Sequence, residues 1–166
     1  MLHPLVTQLR FTRSEWLRAL NGITAEEALR RLMPMNSIGW IVGHLAWQEQ
    51  RYWLTYSQGQ TPFPELNELV GNGRPATTPA LSSMMTTWHA VTQQAEPLLN
   101  TIDTDKLASN ITLGSWQTTV GSLLLRVNYH YWYHIGEIMA IRQLLDHTGL
   151  PDFVGDIDNQ APYRPE

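Results

Sequence analysis

The chain reads as an all-α protein: a bundle of four long helices, with a long connection between helices two and three and a small irregular or hairpin segment before helix four. Three observations predict this. Four long stretches carry apolar side chains at helical spacing. Each is bounded by capping residues or by Pro and Gly. Residues with β character are confined to a short stretch around 110–118.

The first helix covers roughly residues 4–20, with Pro4 in its first turn, Asn21-Gly22 at its end, and Leu5, Leu9, Leu17 and Leu20 among its apolar positions. Thr24-Ala25-Glu26-Glu27 is a capping-box pattern and opens a short helix that ends before Pro34. Asn36 or Ser37 then caps a second long helix over about 37–56, with Ile38, Ile41, Val42, Leu45, Tyr52 and Tyr56 on one stripe. Residues 57–77 hold three Gly and three Pro and form a connection of about twenty residues, a length that tends to be functional or mobile. Thr78-Pro79 restarts a helix that runs to about Leu99, its last turn weakened by Pro97. Asn110-Ile111-Thr112-Leu113 and Trp116-Gln117-Thr118 suit a small hairpin or an ordered loop. The fourth helix spans about Thr119 to His147, closed by Gly149 and Pro151. The tail, 151–166, has three Pro and should be extended.

A length of 166 residues with 43% hydrophobic content predicts one folded domain over 1–166. Eleven basic against fifteen acidic side chains give a net charge of −4 with no Lys/Arg stripe, which argues against a nucleic-acid or anionic-membrane partner. Cysteine is absent, so disulfides, thiolate zinc sites and a protein thiol nucleophile are excluded. The first ten residues contain no apolar signal-peptide core, and no window is apolar enough to span a bilayer. A cytoplasmic protein is expected.

The chemistry concentrates in Asn128-Tyr129-His130-Tyr131-Trp132-Tyr133-His134-Ile135-Gly136-Glu137. Residues i and i+4 of a helix are stacked neighbours, so His130 and His134 can reach one metal ion. At 100° per residue, the apolar stripe of the fourth helix holds Val120, Leu123, Leu124, Val127, Tyr131, Ile138, Ile141 and Leu145. His134 falls inside it, and His130 and Glu137 share its flank. Two accounts fit: a core histidine bonded to a carbonyl beside an exposed one, or a metal pair that needs a third ligand from another helix.

His44 is the best third candidate, although the wheel puts it about 100° off its helix's apolar centre, which favours a surface or interface role. Gly43 beside it would let another helix come close. His3, His89 and His147 are weaker candidates; His147 suits a helix C-terminus. Glu49 falls within its helix's apolar stripe and needs a buried partner, with Arg142 as the candidate. Tyr129, Trp132, Tyr133, Gly136 and Met139 make the other side of the fourth helix apolar, as at a dimer surface or within one subunit's core.

Two segments together resemble a known family. Ile38-Gly39-Trp40-Ile41-Val42-Gly43-His44-Leu45-Ala46 is similar to its Gly-His-Leu signature, and His130 to Ile138, followed by Ile141-Arg142-Gln143-Leu144-Leu145, to its fourth-helix signature. The family is the DinB-like superfamily of damage-inducible and thiol-transferase proteins. The resemblance implies a four-helix bundle, a metal site of His44, His130 and His134, and a homodimer. It also implies a low-molecular-weight thiol, such as bacillithiol, mycothiol or glutathione, used by an S-transferase or isomerase.

Glu137, where many relatives carry Gln, would orient a ligand, act as a weak fourth ligand or accept a proton; pairing with an Arg is the plainer role. Imidazole ligands suit zinc or nickel, with iron as a further choice. The alternatives are a metal-dependent hydrolase using bound hydroxide, or a dimeric bundle that binds metal or a small ligand without turnover. Neither Glu-x-x-His nor His-Glu-x-x-His occurs, which argues against di-iron carboxylate and zinc-protease sites.

Overall fold

The computed structural model describes residues 3–164. The chain is mostly helical, with one small antiparallel sheet. It divides into two compact units, one of Met1–Asn21 with Leu99–Glu166 and the other of Gly22–Leu98. No helix is long and apolar enough to cross a membrane among the described residues.

In the first unit, α1 (Pro4–Leu20) pairs with the long helix α7 (Val120–Leu144). His3 caps α1, its Nδ1 accepting from the Leu5 N–H at 3.1 Å. Val6, Leu9, Trp16 and Ala19 are buried along α1, whereas Leu17 lies on its outer side. Trp16 meets Tyr131 of α7 edge to face at 5.8 Å. Between them in sequence come α6 (Thr104–Ala108), capped by Asp103, and a hairpin of β1 (Asn110–Leu113) and β2 (Trp116–Thr119). Leu113 pairs with Trp116, so the expected hairpin forms; α6 has no counterpart in the sequence reading.

The stripe expected on α7 is buried from Val120 through Ile141, with His134 inside it. Its end comes earlier than Gly149. Asp146 adopts φ 60°, and the His147 N–H reaches the Arg142 carbonyl at 3.0 Å while the Asp146 N–H reaches that of Gln143 at 3.1 Å. These are the paired bonds of a Schellman stop, here with Asp in the left-handed position. The buried guanidinium of Arg142 donates to the Ala19 carbonyl at 2.7 Å and to His147 Nδ1 at 3.1 Å.

The tail is not extended throughout: it makes one turn, α8 (Ile157–Gln160), and Pro165 and Glu166 lie outside the described residues. Its first part is tied to α1. Buried Glu15 pairs with Arg18 and accepts from the Gly155 N–H at 2.8 Å, and Arg18 donates to the Asp152 carbonyl at 2.7 Å. Under this clamp Trp132, Gly136 and Met139 line a cavity of about 180 Å³ with Pro151–Val154. Part of the outer face of α7 is therefore covered by the chain's own tail.

In the second unit, α2 (Ala25–Leu29) carries the complete capping box, with the Glu27 N–H donating to Thr24 Oγ1 and Glu27 Oε2 accepting from the Thr24 N–H. It ends five residues before Pro34, well short of the proline. Ser37, not Asn36, caps α3 (Ile38–Glu49), accepting from the Trp40 N–H at 3.2 Å. Every residue of α3 is buried. The helix then widens into a π-helical segment, Gln50–Tyr56. Ser57 Oγ and Gln58 Nε2 donate to the carbonyls of Tyr52 and Trp53, each five residues back.

The long connection is pinned. It contains a one-turn helix, α4 (Leu66–Leu69), with Leu66 and Val70 buried, and the Gln50 amide bonds both the N–H and the carbonyl of Phe63. α5 (Leu81–Leu99) follows, with Pro97 in its last turn. Gly39 and Gly43 permit close approaches: a Cβ at Gly39 would lie 2.1 Å from the Pro79 carbonyl oxygen, and one at Gly43 2.6 Å from Met84 Sδ of α5. The second contact is the close helix approach expected at Gly43.

Two predictions follow from these contacts. At Gly39 the obstacle is backbone and at Gly43 a flexible thioether, so Gly39→Ala should cost about 2–3 kcal/mol and Gly43→Ala less. Denaturant unfolding of the two variants checks the order. For Glu15, burial pushes the carboxyl up, but the Arg18 and Gly155 hydrogen bonds and the Arg18 charge outweigh it and hold it below the ordinary 4.5. Such a group stabilises the fold above its unfolded value and loses that contribution as pH falls through the folded one. Glu15→Gln should therefore cost about 1–2 kcal/mol at neutral pH, with the gap to wild type closing below about pH 4 in thermal unfolding.

Candidate functional site

On α7 the expected constellation assembles. His130 and His134 stand one turn apart with their Nε2 atoms 3.0 Å from each other and their rings at 69°. His134 is only 4% exposed, and His130 is half-buried on the flank of the stripe. Glu137, three residues on, accepts a hydrogen bond from His134 Nδ1 at 2.7 Å. A carboxylate offers only acceptors, so Nδ1 carries a hydrogen, and in the neutral ring Nε2 is the nitrogen with the lone pair. Glu137 thus fixes both the ring orientation and the tautomer of His134. Its partner is the imidazole, not an arginine.

His44 on α3 is 6% exposed, which corrects the surface role suggested by its helical wheel. The wheel presumes one apolar face, and α3 is buried on all of them. Its ring is held between two indoles, Trp40 at 4.5 Å and 14° and Trp47 at 5.2 Å and 21°. His44 Nδ1 lies 2.7 Å from the Val70 carbonyl, which can only accept. Nδ1 again carries a hydrogen. The indole bracket could be read from the i−4 and i+3 spacing of Trp40 and Trp47 about His44. Val70 carries no such signal, because its contribution is a backbone oxygen.

The other histidines are spoken for or exposed: His3 caps α1, His147 accepts from Arg142, and exposed His89 meets Trp88 edge to face. Glu49 is buried, as its place in the apolar stripe requires.

The donor set fits a divalent metal. Imidazole nitrogens sharing one ion at about 2.0–2.1 Å each lie roughly 3 Å apart, as the Nε2 atoms of His130 and His134 do. Ligating imidazoles also characteristically donate their other nitrogen to a carboxylate or a carbonyl, as His134 and His44 do. Among the described residues, His44, His130 and His134 are a three-histidine group that could hold a metal ion.

No curated protein matches the sequence. The sequence model of the DinB superfamily matches residues 8–138, a stretch that contains all three histidines and Glu137. A match over that much of its length makes the chain a member of the DinB superfamily.

Proposed function

We propose that His44, His130 and His134 ligate one divalent ion, zinc or nickel before iron, and that the protein is a metal-dependent enzyme. In this reading it uses a low-molecular-weight thiol as an S-transferase or isomerase, its four long helices form the superfamily's bundle, and it works as a homodimer. The observation that carries the reading is the matched fixing of two buried imidazoles through Nδ1, His134 by Glu137 and His44 by the Val70 carbonyl. Buried imidazoles placed only for packing have no need of a common tautomer.

Held by His44, His130 and His134, a divalent ion would supply an open position for stabilising a thiolate or acidifying a bound water. The residues of the chain prepare that position. Glu137 holds His134 in register, and Trp40 and Trp47 clamp the plane of His44 and exclude water from its faces. The chain has no cysteine, so sulfur chemistry at the ion would use an external thiol. The dimer draws support from Tyr129 and Tyr133, which are 64% and 70% exposed on the part of α7 that the tail leaves uncovered.

Metal analysis of the protein loaded with zinc or nickel should give about one ion per chain, lost in His44→Ala, His130→Ala and His134→Ala. Glu137→Gln should keep the ion with affinity reduced roughly 10–100-fold, the cost of a lost orienting carboxylate. No bound ion, together with an unchanged melting temperature of His130→Ala in the presence of divalent ions, overturns the metal site. Titration of the loaded protein with glutathione, bacillithiol and mycothiol should show saturable binding of one of them that His134→Ala abolishes. Ester or amide turnover without any thiol would replace the transferase by a hydrolase.

A further inference from the structure

A second cavity, of about 240 Å³, lies beside the π-helical segment in the unit Gly22–Leu98. Its one charged lining residue is Arg51, and no acidic side chain faces into it. The guanidinium lies beside two aromatic rings: its central carbon is 5.3 Å from the Trp47 ring centroid and 5.5 Å from that of Tyr56. The second contact depends on the π register, which brings the Tyr56 ring, five residues on, to Arg51. Its Nε and one terminal nitrogen make 3.4 Å contacts, both to the Tyr56 hydroxyl. Arg51 has no carboxylate partner among the described residues, in a chain with fifteen acidic groups to eleven basic ones.

The rest of the cavity is polar and held in place. Asn67 Oδ1 accepts from Trp47 Nε1 at 2.9 Å, which makes its amide nitrogen a donor, with no acceptor among the described residues. The hydroxyls of Thr55 and Thr61 are 3.0 Å apart at the same cavity, and the Gln50 amide fixes the loop at Phe63 behind it. We propose that this cavity binds a small organic carboxylate, held in a bidentate pair by Arg51 and by neutral donors from Asn67 and from one of the two hydroxyls of the Thr55–Thr61 pair. A guanidinium presents its N–H donors in its own plane, which suits the planar carboxylate fork. One positive charge among neutral donors matches a monoanion and leaves a doubly charged phosphate undercompensated. Trp47 also stacks on His44, so the carboxylate would lie one ring away from that imidazole. The site stands whether or not the histidines hold a metal.

The test titrates the full-length protein as purified with benzoate, with its uncharged counterpart benzamide, and with inorganic phosphate. Proton–nitrogen correlation NMR follows the Arg51 Nε–H and Trp47 Nε1–H signals. Benzoate should shift both signals saturably while benzamide and phosphate do not. Arg51→Lys should weaken benzoate by about tenfold or more, since an ammonium cannot form the paired bonds, and Arg51→Gln should abolish the saturation of the Trp47 signal. Three results overturn the site: shifts linear in benzoate, equal binding of benzamide, or saturation of the Trp47 signal that survives Arg51→Gln, as for a carboxylate held elsewhere. Saturation by phosphate alone overturns the carboxylate assignment. If Arg51→Gln fails to fold, Thr61→Val decides: weaker benzoate binding supports the site, and unchanged affinity overturns it.

Discussion

A buried imidazole has two nitrogens to satisfy, and that requirement organises much of this molecule. α3 is buried from Ile38 to Glu49, so the ring of His44 has no water to turn to. Its Nδ1 partner is the Val70 carbonyl, which reaches it only because residues 57–77 fold back through α4, bury Leu66 and Val70, and are pinned at Phe63 by Gln50. The order of the long connection and the pose of His44 are thus one fact seen from two ends. α7 answers the same requirement locally, with a carboxylate three residues beyond His134. A carbonyl borrowed from a loop and a carboxylate on the same helix leave both rings in the same tautomer.

The π-helical segment shapes the opposite end of the α3 face. In α-helical register, residue i+5 lies about 140° around the axis from residue i, and Tyr56 would point away from Arg51. The wider turn brings it over the guanidinium, and the rings Trp40, His44 and Trp47 then continue through Arg51 to Tyr56. Weaker backbone geometry is offset by side chains, since Ser57 and Gln58 take up carbonyls of the widened turn. Insertions of this kind recur at functional positions because they re-aim side chains without breaking the helix.

Sequence periodicity and caps disclosed most of the helices and several of their ends, because Ser37, the Thr24–Glu27 box and Thr119 each satisfy an orphan N–H through local chemistry. The end of α7 escaped notice because Asp146 fills the left-handed position where glycine is the usual signal. α6 is too short to show a period, although Asp103 three residues before Lys106 is a readable cap. The π segment has no compositional mark at all. At the site, His134 and Glu137 were legible because α7 has one well-defined stripe. His44 was misjudged because a helix enclosed on every side has no stripe against which to measure an angle. The histidines could therefore be named from the family signature before their environments were known.

The pair on α7 shows why hydrogen bonding and metal binding converge on the same atoms. With His134 neutral, Glu137 keeps its one hydrogen on Nδ1, and the 3.0 Å approach of the two Nε2 atoms then uses no hydrogen from His134. It requires either a hydrogen on His130 Nε2 or a cation shared between the two lone pairs. Both are positively polarised occupants of one point between the rings, and ligation by His130 requires that nitrogen to give up its hydrogen. Glu137 therefore does more than align a ring: with His134 neutral, it removes one of the two possible hydrogen donors from the gap between His130 and His134, where the proposed ion would sit.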